Sequence, residues 1–598
     1  MLIDEQYKDA APEETVARIT AILQTLGITP EESWLETGVP HCYSCHVIDA
    51  ASHLGTNGKG VTKALARASA YGEFIERLQS GLFFYKYQSA EAMPGLAVQE
   101  SAPDAQYVTQ DELIAQGAWM EPIIAAYGNG LTKEKLAAQC RMYAESDMIE
   151  MLPFYSLFEG KSVNLPAAFV EHIYSANGVC AGNTRSEAWV HALSEIMERH
   201  CCISYVKSGE AGPVIPDAVL QSFSVVWDIL QHIRKAGPYD VTVFDFSLGC
   251  GLPVIGTRVT DKLRHTYTVS VCADPVLEIA VERTLTELFQ GRTIAGLGMA
   301  GMSAMVEQSP GLQTVQNVLN QLETAHGLFS NDFFANELTC AKAPSQFDSP
   351  EGHSNQMLAE RILAYHKEKG RQVYVRNYSY LGFPCYKFVI PGFSESRGLR
   401  LSQPIQAYSF GAQAARTLRD VRNADTEALE TLLLYRRMIR AEKSRANFFP
   451  FLSGLPMELA EPKYACCMHY ACAANRLGRQ EETLECLRQA QTCTTDNARK
   501  SYAKCAALYL QLSWAGNSQN YCFSILWKLY EEETVAAISS SLAVYGDVFG
   551  TLVRCTGNCE NCTMRDCCYY KAACAVMAKV GAVYATFTDG QAPESFQC

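Results

Sequence analysis

Five glutamates set the chemistry open to this sequence. Three of them, Glu187, Glu195 and Glu198, share one stretch, and Arg199 follows directly. That stretch leads in through Asn177-Gly178-Val179-Cys180-Ala181-Gly182-Asn183, a glycine-rich turn. Ala188, Ala192, Leu193, Ile196 and Met197 then recur at helical spacing, predicting a helix from about Glu187 to Cys202. At 100° per residue Glu198 stands about 20° round that helix from Glu187, and Glu195 about 80°. Three carboxylates on one side of a largely buried helix repel one another unless cations neutralise them. Nothing else in the sequence offsets this charge, so the wall is expected to be loosely ordered without bound metal.

The other two glutamates repeat the pattern. Ser69, Glu73 and Glu76 fall at i, i+4 and i+7, with Arg77 beside them. Exposed Glu-x2-Glu pairs usually mean only a solvated face. Here Ala66, Ala70 and Phe74 make the opposite face small and apolar, which predicts a packed helix whose acids line a site. A third helix, begun by Ala273-Asp274-Pro275, places Arg283, Glu287 and Gln290 on one face, with Arg292 following. Carboxylates from three helices with arginines among them suit several Mg²⁺ ions and a triphosphate. Mg²⁺ takes hard oxygens and shares them with phosphate, and arginine neutralises the transferring charge. No Walker or kinase signature is present, and Thr56-Asn57-Gly58-Lys59-Gly60 reads as a turn too short for a phosphate loop.

The elements that must position these residues follow from the chain order. Residues 12–26 predict a first helix, with Pro12 near its start and acids in its first turn. Around Trp34–Val47 the pattern turns strand-like. His41-Cys42-Tyr43-Ser44-Cys45-His46 has metal-like content, but alternation along a strand sends Cys42 and Cys45 to opposite faces, so no zinc is assigned. Strands are expected at 149–155, 240–246, 253–259, 266–271 and within 372–393, forming a sheet that buries the acidic helices on one side.

After about residue 410 the pattern is helical. Residues 464–477, Gly478 and 481–492 resemble one tetratricopeptide helix pair, with Leu484, Leu487 and Ala490 on the inner face. Near the end, Cys555, Cys559, Cys562, Cys567, Cys568 and Cys574 have metal-ligand spacing for zinc or an iron–sulfur cluster. The alternative is a set of small buried thiols in a module that already holds Cys466, Cys467, Cys472 and Cys486.

Length and composition bound the rest. A chain of 598 residues exceeds one ordinary core. A formal charge of −14 argues against a nucleic-acid surface spread over the molecule, and no direct nucleic-acid contact is expected. No signal-peptide pattern and no long apolar run is seen, so a cytoplasmic protein without a membrane span is expected. The 24 cysteines then read as thiols or metal ligands rather than a disulfide framework.

In order and spacing the three acidic motifs resemble those of the YcaO family. They are Ser69-x3-Glu73-x2-Glu76-Arg77, Asn183-x3-Glu187-x7-Glu195-x2-Glu198-Arg199, and Arg283-x3-Glu287-x2-Gln290-x-Arg292. The resemblance spans roughly residues 1–410, and the helical C-terminal part is similar to stand-alone bacterial members. It implies an α+β (α/β) YcaO fold with antiparallel or mixed sheets and packed helices forming an ATP site, followed by an all-α tetratricopeptide-like domain. The implied divisions are 1–410, 411–545 and a Cys-rich 546–598. By the resemblance, Glu73, Glu76, Glu187, Glu195 and Glu198 hold Mg²⁺, while Lys8, Thr15, Cys180, Asn183, Arg199, Arg283 and Glu287 contact ATP. Cys180 stands where stand-alone members carry Ser; a backbone contact survives that change and a hydroxyl contact does not. The sequence ends Gln591-Ala592-Pro593-Glu594-Ser595-Phe596-Gln597-Cys598, without the Pro-x-Pro-x-Pro tail of peptide cyclodehydratases.

The activity so implied is ATP-dependent activation of an amide carbonyl, with the oxygen leaving as phosphate. The leading expectation is an ATP-hydrolysing accessory factor for β-methylthiolation of ribosomal protein S12, a homodimer working with a radical methylthiotransferase. A second reading is azoline or thioamide formation on a peptide with a separate recognition partner. A third is a non-enzymatic, nucleotide-responsive scaffold.

Overall fold

Pro12 in the first turn, followed by Glu13 and Glu14, opens helix α1 (Pro12–Thr25), which buries Val16, Ile19 and Leu23. The computed structural model of the chain describes residues 8–84, 102–297, 303–304, 354–396, 414–441, 462–552 and 569–587, apart from 129, 144–147, 209–211, 415–416 and 419. Strands β1 (Pro30–Leu35), β2 (Tyr43–Asp49) and β3 (Leu54–Gly60) form a three-stranded sheet on which α2 (Lys63–Gln79) lies. The Thr56–Gly60 segment is therefore a strand and not the expected turn. Its glycines serve packing. A Cβ on Gly58 would sit 2.1 Å from the carbonyl oxygen of Ala66 and 2.2 Å from the amide nitrogen of Ala70, both in α2. Cys42 and Cys45 do part company, Cys42 joining one apolar core and Cys45 another.

The next stretch supplies β4 (Gln106–Val108), α3 (Gln110–Ala115), α4 (Met120–Tyr127), α5 (Lys133–Tyr143), β5 (Ile149–Ser156), β6 (Lys161–Pro166), α6 (Ala167–Tyr174) and β7 (Val179–Ala181). The long helix α7 (Arg185–Ser208) follows, then α8 (Asp217–Leu220) and α9 (Ser224–Ala236). After them come β8 (Tyr239–Asp245), β9 (Val254–Asp261), β10 (Thr266–Ala273), α10 (Leu277–Leu288), α11 (Ile294–Leu297) and β11 (Ser303–Ala304). Helix α12 (Asn355–Glu368) and the pair β12 (Tyr374–Asn377) and β13 (Cys385–Val389) complete this half.

Two further sheets result, one ordered β11-β10-β9-β8 and one β4-β5-β12-β13-β7 with β6 beside β5. Every pairing between named strands is antiparallel, so of the antiparallel or mixed sheets expected the described residues show only the antiparallel kind. Helix α7 packs against strands of both sheets and against α12. Its Trp189, Leu193, Ile196 and Met197 are buried with Phe246, Val375 and Phe388. The acidic side of the helix is what this packing leaves over.

Helices α13 (Thr426–Ala441), α14 (Pro462–Arg476), α15 (Gln480–Thr492), α16 (Asn497–Trp514), α17 (Gln519–Leu529), α18 (Glu532–Tyr545) and α19 (Tyr570–Ala585) make the second half helical. Gly478 turns α14 into α15 with φ of +70°. The core of these helices is continuous with that of α1 and α2: Val16, Phe74, Leu429, Leu487 and Met577 belong to one cluster. Two polar ties cross the same seam. Lys579 Nζ donates to the carbonyl of Leu26 at 2.8 Å, and Arg376 donates to the Tyr584 hydroxyl at 2.8 Å. Cys555, Cys559, Cys562, Cys567 and Cys568 lie outside the described residues. Cys574, Cys466, Cys467, Cys472 and Cys486 are buried. Among the described residues no helix is long and apolar enough to cross a membrane.

Candidate functional site

Three local features aim the acidic faces. In α2 the Thr62 side chain caps the helix by accepting from the Leu65 amide at 3.2 Å, and Ala66, Ala70, Phe74 and Ile75 bury one face. Glu73, Glu76 and Arg77 occupy the other. Helix α7 starts abruptly from β7: Thr184 Oγ1 accepts from the Glu187 amide at 3.2 Å. Gly182 makes that entry possible, because a Cβ there would lie 2.5 Å from the Ala188 nitrogen. Helix α10 ends at Leu288, so Gln290 reaches the site from the turn beyond rather than from the helical face expected for it.

At the N-terminal end of α7 the geometry joins residues far apart in the chain. Thr15 Oγ1 donates to Asn183 Oδ1 at 2.8 Å, and Asn183 Nδ2 donates to Glu187 Oε2 at 3.1 Å. The Asp9 amide also donates to Glu187 Oε2, at 3.0 Å. Lys8 Nζ lies 3.6 Å from Glu187 Oε1 and 2.8 Å from His191 Nε2. His191 is held well below the usual imidazole range by burial and by the charges of Lys8 and Arg283, so its neutral ring accepts a hydrogen bond from the lysine ammonium.

Further along, Glu198 Oε2 accepts from the Ala273 amide at 3.1 Å, while Arg199 approaches Glu198 at 3.6 Å and Glu195 at 3.5 Å. Arg77 donates to Glu73 at 2.7 Å. Lys59 on β3 pairs with Glu287, and Gln290 donates to the Asn57 carbonyl. Glu76 is held well above the carboxylate range by burial, reinforced by Glu195 and Glu73 and opposed by Arg77. Burial also raises Glu195, with Glu198 adding to it and Arg199 and Lys387 working against it. Cys180 on β7 is within electrostatic reach of Glu76, Glu195 and Arg283, and burial pushes its thiol well up.

The wall is thus partly neutralised from within. Lys8, Lys59, Arg77 and Arg199 stand against Glu187, Glu287, Glu73 and the Glu195–Glu198 pair, which corrects the expectation that nothing in the chain offsets the charge. Lys59 and His191 were not singled out from the sequence, and neither was Lys387. The signal for Lys387 was available: strand alternation places it with Cys385 and Val389 on one face, where a lysine is out of place.

The residues fit a magnesium–triphosphate group. The donor set is one of hard carboxylate oxygens on three helices. Arg283 presents a buried Nε with no hydrogen-bond partner among the described residues. Among the described residues no three His, Cys, Asp or Glu side chains form a ready metal cage. Mg²⁺ does not need one, since it is usually bound by one or two carboxylates together with phosphate oxygens and water.

Known proteins were compared with this geometry in hand. Residues 57–394 match the family described as "YcaO cyclodehydratase, ATP- and Mg2+-binding". The ribosomal protein S12 methylthiotransferase accessory factor YcaO of Escherichia coli K12 is 31% identical over 399 residues, covering 65% of this chain and 66% of that protein. An uncharacterised Haemophilus influenzae protein is 27% identical over 394 residues, 65% of each. The match thus spans about two thirds of the length of these relatives, or slightly less. Among solved structures, a heterocyclase in complex with substrate and cofactor aligns with a TM-score of 0.46 at 19% identity, over 66% of this chain and 54% of that one. YcaO from Methanopyrus kandleri bound with AMPPCP and Mg²⁺ aligns at 0.40 and 19%, over 64% and 92%. A family match across more than half of the residues, including all three acidic motifs, makes this chain a member of the YcaO family.

Proposed function

We propose that the chain binds ATP with Mg²⁺ and hydrolyses it to activate an amide carbonyl. The observation that carries this reading is the Arg283 guanidinium on α10, whose buried Nε has no hydrogen-bond partner among the described residues and which lies within electrostatic reach of Glu198 on α7. An unpartnered buried donor is costly unless a ligand completes it, and a phosphate oxygen does so with charge assistance. Glu73, Glu76, Glu187, Glu195 and Glu198 are assigned to Mg²⁺, and Lys8, Thr15, Cys180, Asn183, Arg199, Arg283 and Glu287 to the nucleotide. When bound, Mg·ATP supplies the phosphoryl group that converts an amide oxygen into a leaving phosphate. The chain's own part is to hold the triphosphate between α7 and α10, neutralise it with Arg199 and Arg283, and keep Glu187 beside Lys8. Measuring phosphate release with and without Mg²⁺ tests the reading, and a protein that binds no Mg·ATP rejects it.

The cellular role we propose is that of an accessory factor, supported by the name of the E. coli relative. Its partners would then be ribosomal protein S12 and a radical methylthiotransferase, with the chain itself a homodimer in the cytoplasm. The division at 1–410, 411–545 and 546–598, and the likeness of α14–α15 to a tetratricopeptide pair, belong to the same proposal. Mass spectrometry of S12 from a deletion strain decides the role: unchanged methylthiolation rejects it and leaves ATP hydrolysis standing. Peptide azoline or thioamide formation with a partner protein is the second reading, supported by the cyclodehydratase description of the family.

A further inference from the structure

Lys387 lies in the middle of β13 and is only 3% exposed. Lysine is almost never buried to this degree unless something holds its charge. Its ammonium donates to two backbone carbonyls, Ser175 at 2.6 Å and Asn177 at 2.8 Å. Both belong to the turn between α6 and β7. Ser175 holds a φ of +49°, a conformation that a residue with a Cβ adopts only when its surroundings impose it.

The same turn reaches the acidic wall from its other side. The amide of Gly178, the residue after Asn177, donates to Glu195 Oε2 at 3.3 Å. Gly178 cannot readily move away or be replaced: its φ is +78°, and a Cβ there would fall 2.7 Å from the Phe388 carbonyl. Phe388 is the strand neighbour of Lys387. Ammonium, turn and carboxylate therefore form one closed circuit, in which the lysine grips the carbonyls and the turn's amide grips the acid. Burial lowers the ammonium to about 7, while Glu195, Glu171 and Glu76 favour its charged form.

We infer that Lys387 is a positioning residue that sets Glu195 for metal through the Ser175–Gly178 turn. The inference rests on the magnesium assignment of Glu195 made above. It differs from a purely structural role in what it touches: removing the ammonium should loosen one metal ligand and leave the nucleotide contacts of α1 and α10 in place. Groups that orient a ligand in this way typically change metal affinity or activity by about 10–100-fold when lost.

The test uses the full chain with Lys387→Met and Lys387→Arg. In Lys387→Met the Mg²⁺ concentration for half-maximal ATP hydrolysis should rise by about tenfold or more, while KM for ATP at saturating Mg²⁺ stays within about twofold. Exchange of the Gly178 amide proton should quicken by about tenfold or more in the same variant, because its acceptor and its turn are both released. Lys387→Arg keeps the charge and the donors and should recover much of both effects. Unchanged Mg²⁺ activation in Lys387→Met, or an equal fall in rate at every Mg²⁺ concentration, overturns the inference. A wild-type protein without Mg²⁺-dependent hydrolysis would reject the function reading instead. The Gly178 exchange then decides the tether alone, and an unchanged rate overturns it. If Lys387→Met does not fold, Lys387→Gln, which retains one donor group, takes its place under the same criteria.

Discussion

Thr15 and Asn183 share a buried hydrogen bond of 2.8 Å, although they stand in α1 and at the entrance to α7. The bond fixes the asparagine's orientation: its oxygen faces Thr15, so its amide must face Glu187. A hydroxyl on the first helix thereby aims a carboxylate on the central one.

Replacing Thr15 with Val keeps the shape and removes the donor. The Asn183 oxygen then loses a buried partner, a loss that costs about 1–3 kcal/mol. The expected outcome is a lower melting temperature, together with a weaker apparent affinity for ATP. Thermal unfolding and the ATP dependence of hydrolysis measure the two separately.

Glu198→Gln tests the wall itself. The amide oxygen can still accept from the Ala273 backbone, so the fold should persist while the metal-binding charge is lost. Mg²⁺-dependent hydrolysis should drop by about 100-fold, and Mg·ATP should no longer raise the melting temperature. Hydrolysis and nucleotide binding that persist unaltered would show the assignment of Glu198 to be wrong.

Gly58→Ala probes the strand that was expected to be a turn. The new methyl would meet backbone atoms of Ala66 and Ala70 rather than a movable side chain. Sheet and helix must separate, at a cost of about 3 kcal/mol. Lys59 would shift with its strand, so calorimetry should show a loss of stability and assays a loss of activity together.

His366 provides a pH prediction away from the acids. It is fully buried, its Nε2 has no partner among the described residues, and burial, with Arg371 and His200 adding to it, lowers its pKa from 6.5 to about 3. Its folded pKa lies below the unfolded one, so between those values the unfolded chain binds the extra proton. The stability it contributes is full above pH 6.5 and is lost as pH falls towards 3. The loss approaches about 1.4 kcal/mol per pH unit inside that window. His366→Leu should therefore flatten the fall in melting temperature between pH 7 and pH 5, the range in which denaturation curves of the two proteins are compared. Parallel curves would exclude His366 as a source of acid sensitivity.

The acidic helices were legible because their period is local. Glu73 and Glu76, or Glu195 and Glu198, declare a common face within a few residues, and the apolar residues between them declare the buried side. Arg77 and Arg199 were legible with them, but the counter-charges Lys8 and Lys59 were not, because they meet Glu187 and Glu287 only through tertiary contacts. The glycines of β3 carried an ambiguous message. Gly58 and Gly60 signal either a turn or a close approach, and only the helix lying across the strand distinguishes them. Gln290 shows a limit of the local reading: spacing put it on one helical face with Arg283 and Glu287, and the helix stops two residues before it.

The shared core of α1, α2 and the C-terminal helices also has a consequence for timing. On the ribosome α1 and α2 emerge early, yet part of the apolar surface that covers them belongs to α19, with Met577 and Val580 in the same cluster as Val16 and Phe74. Residues 8–84 cannot finish burying their inner faces until α19 has been made. The helix that carries the acids of α2 is therefore left partly uncovered during synthesis, a client for whatever protects unfinished chains.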